Sequence, residues 1–176
     1  MEQNINQVAQ AMIKNSWENF AKLYDQYIQM NMLQGFTTLA VHTKAHSRKR
    51  ILEVACGSGM HTLYFAKTML QRGAVVVSTD ISEEMIKMSK NRFEDPQNDY
   101  LAIHGNKAKI SPSELAPLGT KEWNLEKILK EDLDFTENDR AVIAGIANNE
   151  SLPFTDGTFD CYISSLSLMI VDNHMN

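Results

Sequence analysis

The stretch that most narrows the fold is residues 74–79, Ala-Val-Val-Val-Ser-Thr, a β-branched run closed by Asp80. A strand with one wet face alternates polar and apolar residues, whereas an unbroken apolar run belongs to a strand covered on both faces. Residues 50–55 form a second such run, which stops at Cys56-Gly57-Ser58-Gly59. A helical pattern then carries Leu63, Ala66 and Leu70 on one face to about Arg72. A second helix is predicted from Glu83 to about Phe93, with Ser82 as its N-cap and Glu83 and Glu84 in its first turn, where the helix dipole favours acids. Residues 141–146 and 159–164 read as a third and a fourth strand.

Strands alternating with helices predict a doubly wound, Rossmann-like α/β fold with a mostly parallel sheet and right-handed crossovers. Two stretches depart from the alternation. Residues 1–45 read as a helical region, because Trp17, Phe20, Tyr24 and Tyr27/Ile28 recur at three- and four-residue steps. Residues 94–139 hold Pro96, Pro112, Pro117, Gly105 and Gly119 and read as an insertion with one short helix near 122–130. With 176 residues, 43% of them hydrophobic, a single domain with a full core is expected.

Charge and cysteine usage exclude several functions. Seventeen basic against 22 acidic residues leave a net charge of −5, against the basic footprint of a protein held on nucleic acid by phosphate contacts. The basic stretch 44–50 reads as a solvated loop before a strand. No window approaches the roughly 18 unbroken apolar residues of a membrane span, so no membrane partner is expected. Cys56 and Cys161 lie far apart, one of them in the glycine loop, which argues for a reduced, cytoplasmic protein.

In an open parallel sheet ligands bind beyond the carboxyl ends of the strands, where strand order reverses. Gly57 and Gly59 follow the first strand directly, and Asp80 ends the second, 21 residues beyond Gly59. That is close to the spacing of the ribose-binding acid in dinucleotide folds, and a carboxylate there can accept from both ribose hydroxyls. A dinucleotide fingerprint wants Gly or Ala three residues past its second glycine, where this chain has Thr62. Glu53, an acid inside an apolar strand leading to the loop, would repel a pyrophosphate and tolerate a ligand carrying an ammonium and a sulfonium. S-adenosylmethionine meets that description.

The residues 53–59, Glu-Val-Ala-Cys-Gly-Ser-Gly, Asp80 with Ile81, residues 148–154, Asn-Asn-Glu-Ser-Leu-Pro-Phe, and residues 156–160, Asp-Gly-Thr-Phe-Asp, resemble successive motifs of class I S-adenosylmethionine-dependent methyltransferases. Together with Trp17, Tyr24, Asp25 and residues 164–168, Ser-Ser-Leu-Ser-Leu, the chain is similar to the small-molecule branch that includes quinone-biosynthesis enzymes, over about 15–93 and 140–172. The resemblance implies S-adenosyl-L-methionine as cofactor and a small-molecule methyl acceptor. It implies Glu53, Gly57 and Gly59 at the methionine end, with Ala55 standing where the first motif glycine falls. Asp80 would meet the ribose and Ile81 and Met85 the adenine face. Asn148, in place of the usual acid, and Asn149 would meet the adenine edge. Ser164, Ser165 and Leu166 would pass beneath the sulfonium, and Tyr24 would close over the methionine moiety.

No catalytic residue is singled out, because methyl transfer from a sulfonium needs mainly alignment and water exclusion. His61 and His174 are candidate bases, and each reads more simply as a packing or surface residue. The family's sheet is larger than the four strands counted here. The resemblance therefore implies a chain that stops after the fourth strand with 161–171 at an open edge, whether because the sequence is cut short, because a second copy or a partner chain completes the sheet, or because the chain is a degenerate relative with a structural role. A non-catalytic interaction subunit on the same half-sheet is the alternative, and a nicotinamide-dependent reductase a third.

Overall fold

Five strands lie side by side in the computed structural model, which describes residues 2–95, 108–111, 123–165 and 167. They are β1 (Arg50–Val54), β2 (Ala74–Asp80), β3 (Ala108–Ser111), β4 (Arg140–Ile146) and β5 (Cys161–Ser164), in the order β3-β4-β2-β1-β5. Every pairing is parallel. The expected α/β class is therefore observed, with one correction: the described sheet has five strands, not four. β3 falls inside 94–139, the segment read as an insertion, and extends the sheet beyond β4. Its sequence, Ala-Lys-Ile-Ser, is too short and too polar to signal a strand. Pro96, Gly105, Pro112, Pro117 and Gly119 lie outside the described residues, as do Leu166, His174 and the expected continuation of the last strand over 168–171.

All seven residues of β2 are buried, as the unbroken apolar run predicts. Val76, Ile51, Val142 and Ile163 turn to one face of the sheet, under Phe36, Leu63, Phe65, Ile86 and Phe93 from α2 (Gln29–His42), α3 (Met60–Thr68) and α4 (Glu83–Glu94). Val75, Val77, Leu52, Val54, Ala141 and Ile143 turn to the other, under Trp123, Leu125, Leu129 and Leu133. Each buried valine stabilises the sheet by roughly 1.5–3 kcal/mol. Pairing of β5 with β1 is pinned at its start, where the Asp160 carboxylate accepts the backbone N–H groups of Lys49 and Arg50, both at 3.0 Å.

α1 (Glu2–Leu23) runs through a π-helical turn, Tyr24–Ile28, into α2. Trp17, Phe20 and Tyr24 of the stripe read from the sequence keep ring contact with one another, and the turn decides between Tyr27 and Ile28. Trp17, Tyr24 and Ile28 face inward, while Phe20 is 38% and Tyr27 61% exposed. π-turns inside helices are frequent at functional sites. α3 stops at Thr68, four residues before the predicted Arg72, and α4 begins as predicted, with Ser82 Oγ accepting the Met85 N–H at 3.2 Å. Among the described residues no helix is long and apolar enough to cross a membrane.

Candidate functional site

β1 is the switch point: one neighbour, β2, follows it through α3, and the other, β5, returns to its far side after β4. A cavity of about 310 Å³ opens there, beyond the carboxyl ends of the strands. The loop after β1 supplies Ala55 and Gly57, the end of β2 supplies Thr79 and Asp80 with Ile81 just beyond it, α4 supplies Met85, the segment after β4 supplies Ala147 to Glu150, and the segment after β5 supplies Ser165 and Ser167. The helical region closes it with Gln10, Ile13, Trp17, Tyr24, Ile28 and Met32.

The loop after β1 reverses direction through three left-handed residues, Ala55 (φ 52), Gly57 (φ 60) and Gly59 (φ 74). Alanine in that region carries strain of roughly 1–2 kcal/mol. Ala55→Gly, a change that elsewhere costs up to about 1 kcal/mol, is therefore expected to leave Tm unchanged or raise it, as read by calorimetric unfolding. A clear drop in Tm would show that Ala55 is unstrained.

Asp80 holds this loop. Its Oδ2 accepts the Gly57 N–H and its Oδ1 the Ser82 N–H, both at 2.9 Å. Burial raises its carboxyl to about 6, against the backbone N–H groups of Ser82, Gly57 and Ile81, which favour the ion. With two oxygens and about four lone-pair sites, a carboxylate so placed can still accept from a ligand. Side chains grip the rest of the loop: Ser89 Oγ donates to Gly57 O at 3.0 Å, Arg92 Nε to Ser58 O at 3.1 Å and Gln29 Nε2 to Cys56 O at 3.4 Å. Ser58 Oγ meets the oxygens of Asp25 and Gln29, and Arg92 Nη2 donates to Asp25 Oδ1 at 2.7 Å. The π-turn and α4 thus clamp the glycine loop between them, which preorganises its backbone at the cavity wall.

α1 is tied across the cavity to both rims. The Glu18 carboxylate accepts the N–H groups of Glu83 and Glu84, at 2.7 and 3.0 Å, and so caps α4 from outside that helix. Lys14 pairs with Glu83 at 2.6 Å, and Gln10 Nε2 donates to Glu150 Oε2 at 2.7 Å.

Of the residues expected at the site, Tyr24, Ala55, Gly57, Asp80, Ile81, Met85, Asn148, Asn149 and Ser165 line the cavity, and Glu53, Gly59 and Ser164 do not. Leu166 lies outside the described residues. Glu53 shares a face with Ile51 and points beneath α3, where Thr62 Oγ1 donates to its Oε2 at 2.6 Å. It is 3% exposed, and burial pushes its carboxyl up to about 8, so at neutral pH it is mostly protonated. The electrostatic selection assigned to Glu53 from sequence therefore falls instead to the wall itself, where, among the described residues, the ionisable side chains besides Tyr24 are the acids Asp80 and Glu150. Gly59 serves packing: a Cβ there would stand 2.7 Å from Ser89 Oγ and 2.9 Å from Phe93. Ser164 Oγ contacts Ser167 Oγ, which is the lining hydroxyl.

The two asparagines are already engaged. Asn148 Oδ1 accepts the Glu150 N–H at 3.0 Å, and Asn149 Oδ1 accepts from the Tyr162 hydroxyl at 2.8 Å. Each amide oxygen has a second lone pair for a ligand. Burial, followed by the Asp80 charge, raises the Tyr24 hydroxyl. His61 is no base for this cavity: it is buried outside the wall, its Nε2 is 2.8 Å from Gln29 O, its ring stacks on Phe36 at 5.2 Å, and burial lowers its pKa. Cys56 is buried and its thiol pushed up, chiefly by burial, so it stays protonated and unreactive. Among the described residues no cluster of His, Cys, Asp and Glu has the makings of a metal site.

Sequence reasoning missed Gln10, Ile13, Met32, Thr79, Ala147, Glu150 and Ser167 as wall residues. Ile13, Trp17, Tyr24, Ile28 and Met32 stand four or seven residues apart, a helical stripe that was legible; its phase through the π-turn was not. No curated protein and no solved structure matches the chain. Residues 51–115, which run from β1 through the glycine loop, α3, β2, Asp80 and α4 to just past β3, match the family model described as a methyltransferase domain, and this match supports a methyltransferase function.

Proposed function

We propose that the cavity binds S-adenosyl-L-methionine and that the chain transfers its methyl group to a small molecule. The observation that carries this reading is Asp80, a buried carboxylate at the end of β2 that lines the cavity beside Gly57. The donor set suits the cofactor. Asp80 is placed for ribose hydroxyls, Ile81 and Met85 offer an apolar face for a purine, and Asn148 and Asn149 stand at its edge. Among the described residues the wall holds acids and no lysine, arginine or histidine, which suits a ligand with an ammonium and a sulfonium and opposes a pyrophosphate. When bound, the cofactor would supply an activated methyl for an acceptor's lone pair, with the C–S pair left on sulfur and any proton released with the product to bulk solvent.

The chain's own residues orient and enclose. The clamped glycine loop presents fixed backbone, Trp17 and Tyr24 meet edge to face at 5.6 Å in the cover, and α1 excludes water while tied to both rims.

Calorimetric titration with S-adenosylmethionine is the test, with NADH as the competing ligand. Binding of the first and not the second is expected. Asp80→Ala should weaken it at least tenfold, about 1.4 kcal/mol. Because Asp80 also fastens Gly57 and Ser82, Asp80→Asn, which keeps an acceptor, separates loss of charge from loss of the loop. Donors on the ligand favour the ionised carboxylate, so affinity should rise from pH 5 to 7, through about 6, and level off above. Tight NADH binding, or S-adenosylmethionine binding indifferent to Asp80, would overturn the reading. The non-catalytic alternative, docking through the half-sheet and its 161–171 edge, requires no cofactor affinity and tolerates Asp80→Ala.

A further inference from the structure

We propose that the furrow between α2 and α3 is a docking site for an acidic amphipathic helix of a partner protein. This surface is separate from the cavity, and its role does not depend on the cofactor. α2 has three faces. Met32 lines the cavity, Phe36 and Ala40 enter the core, and Met30, Leu33, Thr37 and Val41 line the furrow, to which α3 adds Tyr64. From Met30 to Val41 the furrow follows α2 for about 17 Å at 1.5 Å per residue, the length of three helical turns.

Shape selects a helix. Met30 (60% exposed), Val41 (48%) and Tyr64 (38%) stand out from the surface, while Leu33 and Thr37 lie half-buried, so the feature is a trough. A trough of this kind takes a ridge of side chains at i, i+3, i+4 and i+7. Its threonines make no competing demand, since the Thr37 and Thr38 hydroxyls donate within α2 to Leu33 O at 2.8 Å and Gln34 O at 2.9 Å. Charge gives the sign. Between Asp25 and Asp80 the one acid is Glu53, buried and mostly protonated, while Lys44, Arg48, Lys49, Arg50, Lys67 and Arg72 fall in the same span of a chain whose net charge is −5. Arg50 is paired with Glu126 at 3.3 Å, and Asp160, at the same end of the sheet, accepts the N–H groups of Lys49 and Arg50. Lys44 follows α2 directly, and Lys67 stands one turn beyond Tyr64 on α3. Gln71 Nε2 donates to Arg48 O at 3.1 Å, which brings the 44–48 segment against the turn after α3, beside Arg72. The furrow thus ends at a basic rim, and among the described residues no acid lines it. Bases near helix C-termini favour their own helices too, but that accounts for neither the apolar trough nor the missing acids. A partner helix with glutamates flanking an apolar stripe complements both.

Fluorescein-labelled peptides of roughly 16 residues, long enough to hold a helix, test this by anisotropy on the full chain at pH 7.5. One carries a leucine stripe flanked by glutamate, a second the same stripe flanked by lysine, and a third the composition of the first with its leucines dispersed. The first is expected to bind at least tenfold more tightly than the other two. Its affinity should fall at least fivefold between about 0.1 and 1 M salt, as the charges are screened. Val41→Gln and Tyr64→Gln, at exposed positions on the two walls, should each weaken it at least fivefold, and Lys44→Glu combined with Arg48→Glu at least tenfold, all with Tm unchanged. If the dispersed peptide binds as well as the first, or the substitutions change nothing, the attraction is charge alone and the furrow is no helix site. If the peptides do not bind, the proposal is overturned. Sedimentation with phosphatidylserine vesicles that Val41→Gln and the double substitution abolish would then assign the surface to a lipid bilayer.

Discussion

Gly59→Ala is expected to destabilise the protein by about 3 kcal/mol, lowering Tm by roughly 6–12 °C for a chain of this size. Two costs add. The left-handed φ of 74° is strained for any residue with a Cβ, by roughly 1–2 kcal/mol. The new methyl would also stand 2.7 Å from Ser89 Oγ and 2.9 Å from Ser89 Cβ and Phe93 Cζ, contacts that α4 relieves only by moving. Overpacking of that kind costs about 1–3 kcal/mol. Ser89 is not free to swing away without loss, since its hydroxyl holds Gly57 O at 3.0 Å. Gly35→Ala is the matched control. Gly35 lies inside α2 with nothing within 4 Å of an added Cβ, so the same substitution should stabilise by about 0.5–1 kcal/mol through helix propensity. Thermal unfolding of both variants checks the pair, and a loss below about 1 kcal/mol at Gly59 would mean that α4 does not press on the loop.

Glu53→Gln is expected to stabilise the protein at alkaline pH by on the order of 2 kcal/mol and to flatten its stability profile. The folded carboxyl is raised to about 8 from 4.5, first by burial and then by the Asp80 charge, against the Thr62 hydroxyl that favours the ion. The folded state therefore keeps a proton that the unfolded chain has lost. Stability from this group is complete below pH 4.5, falls by about 1 kcal/mol per pH unit as pH rises, and levels off above 8. Asp80, raised to about 6 from 3.8, acts in the same direction at lower pH. The clean window is thus pH 6.5 to 8.5, where the Asp80 contribution has levelled and that of Glu53 has not. A glutamine oxygen still accepts from Thr62. Urea unfolding of wild type and variant across that window is the measurement, and equal slopes would show that Glu53 is ionised in the folded protein. The result also bears on specificity: an acid that is neutral at pH 7 repels no phosphate.

Strands β1, β2 and β4 were legible because a doubly covered strand writes its burial as a continuous apolar run, which needs no knowledge of its neighbours. Asp80 was legible for a related reason, since it marks where such a run ends at the ligand-binding edge. β3 was not legible: Ala-Lys-Ile-Ser is four residues with two polar ones among them, too few for either a continuous run or an alternation to show. Of the pair Tyr27/Ile28 the sequence left open, the structure turns Ile28 to the cavity and Tyr27 to solvent, a choice set by the π-turn at Tyr24–Ile28. The residues that finish the cavity come from a helix far away in sequence, and only docking of α1 over the strand ends brings Ile13 and Trp17 to Asp80.

What the chain's own order of residues determined is everything with a local cause: the alternation of strands and helices, the glycine turn, the Ser82 cap and the acid at the end of β2. Side-chain direction and encounter were decided by tertiary structure alone. Glu53 turns under α3, Gly59 yields space to α4, and the cavity takes its roof from α1, because each depends on which distant element comes to rest against it.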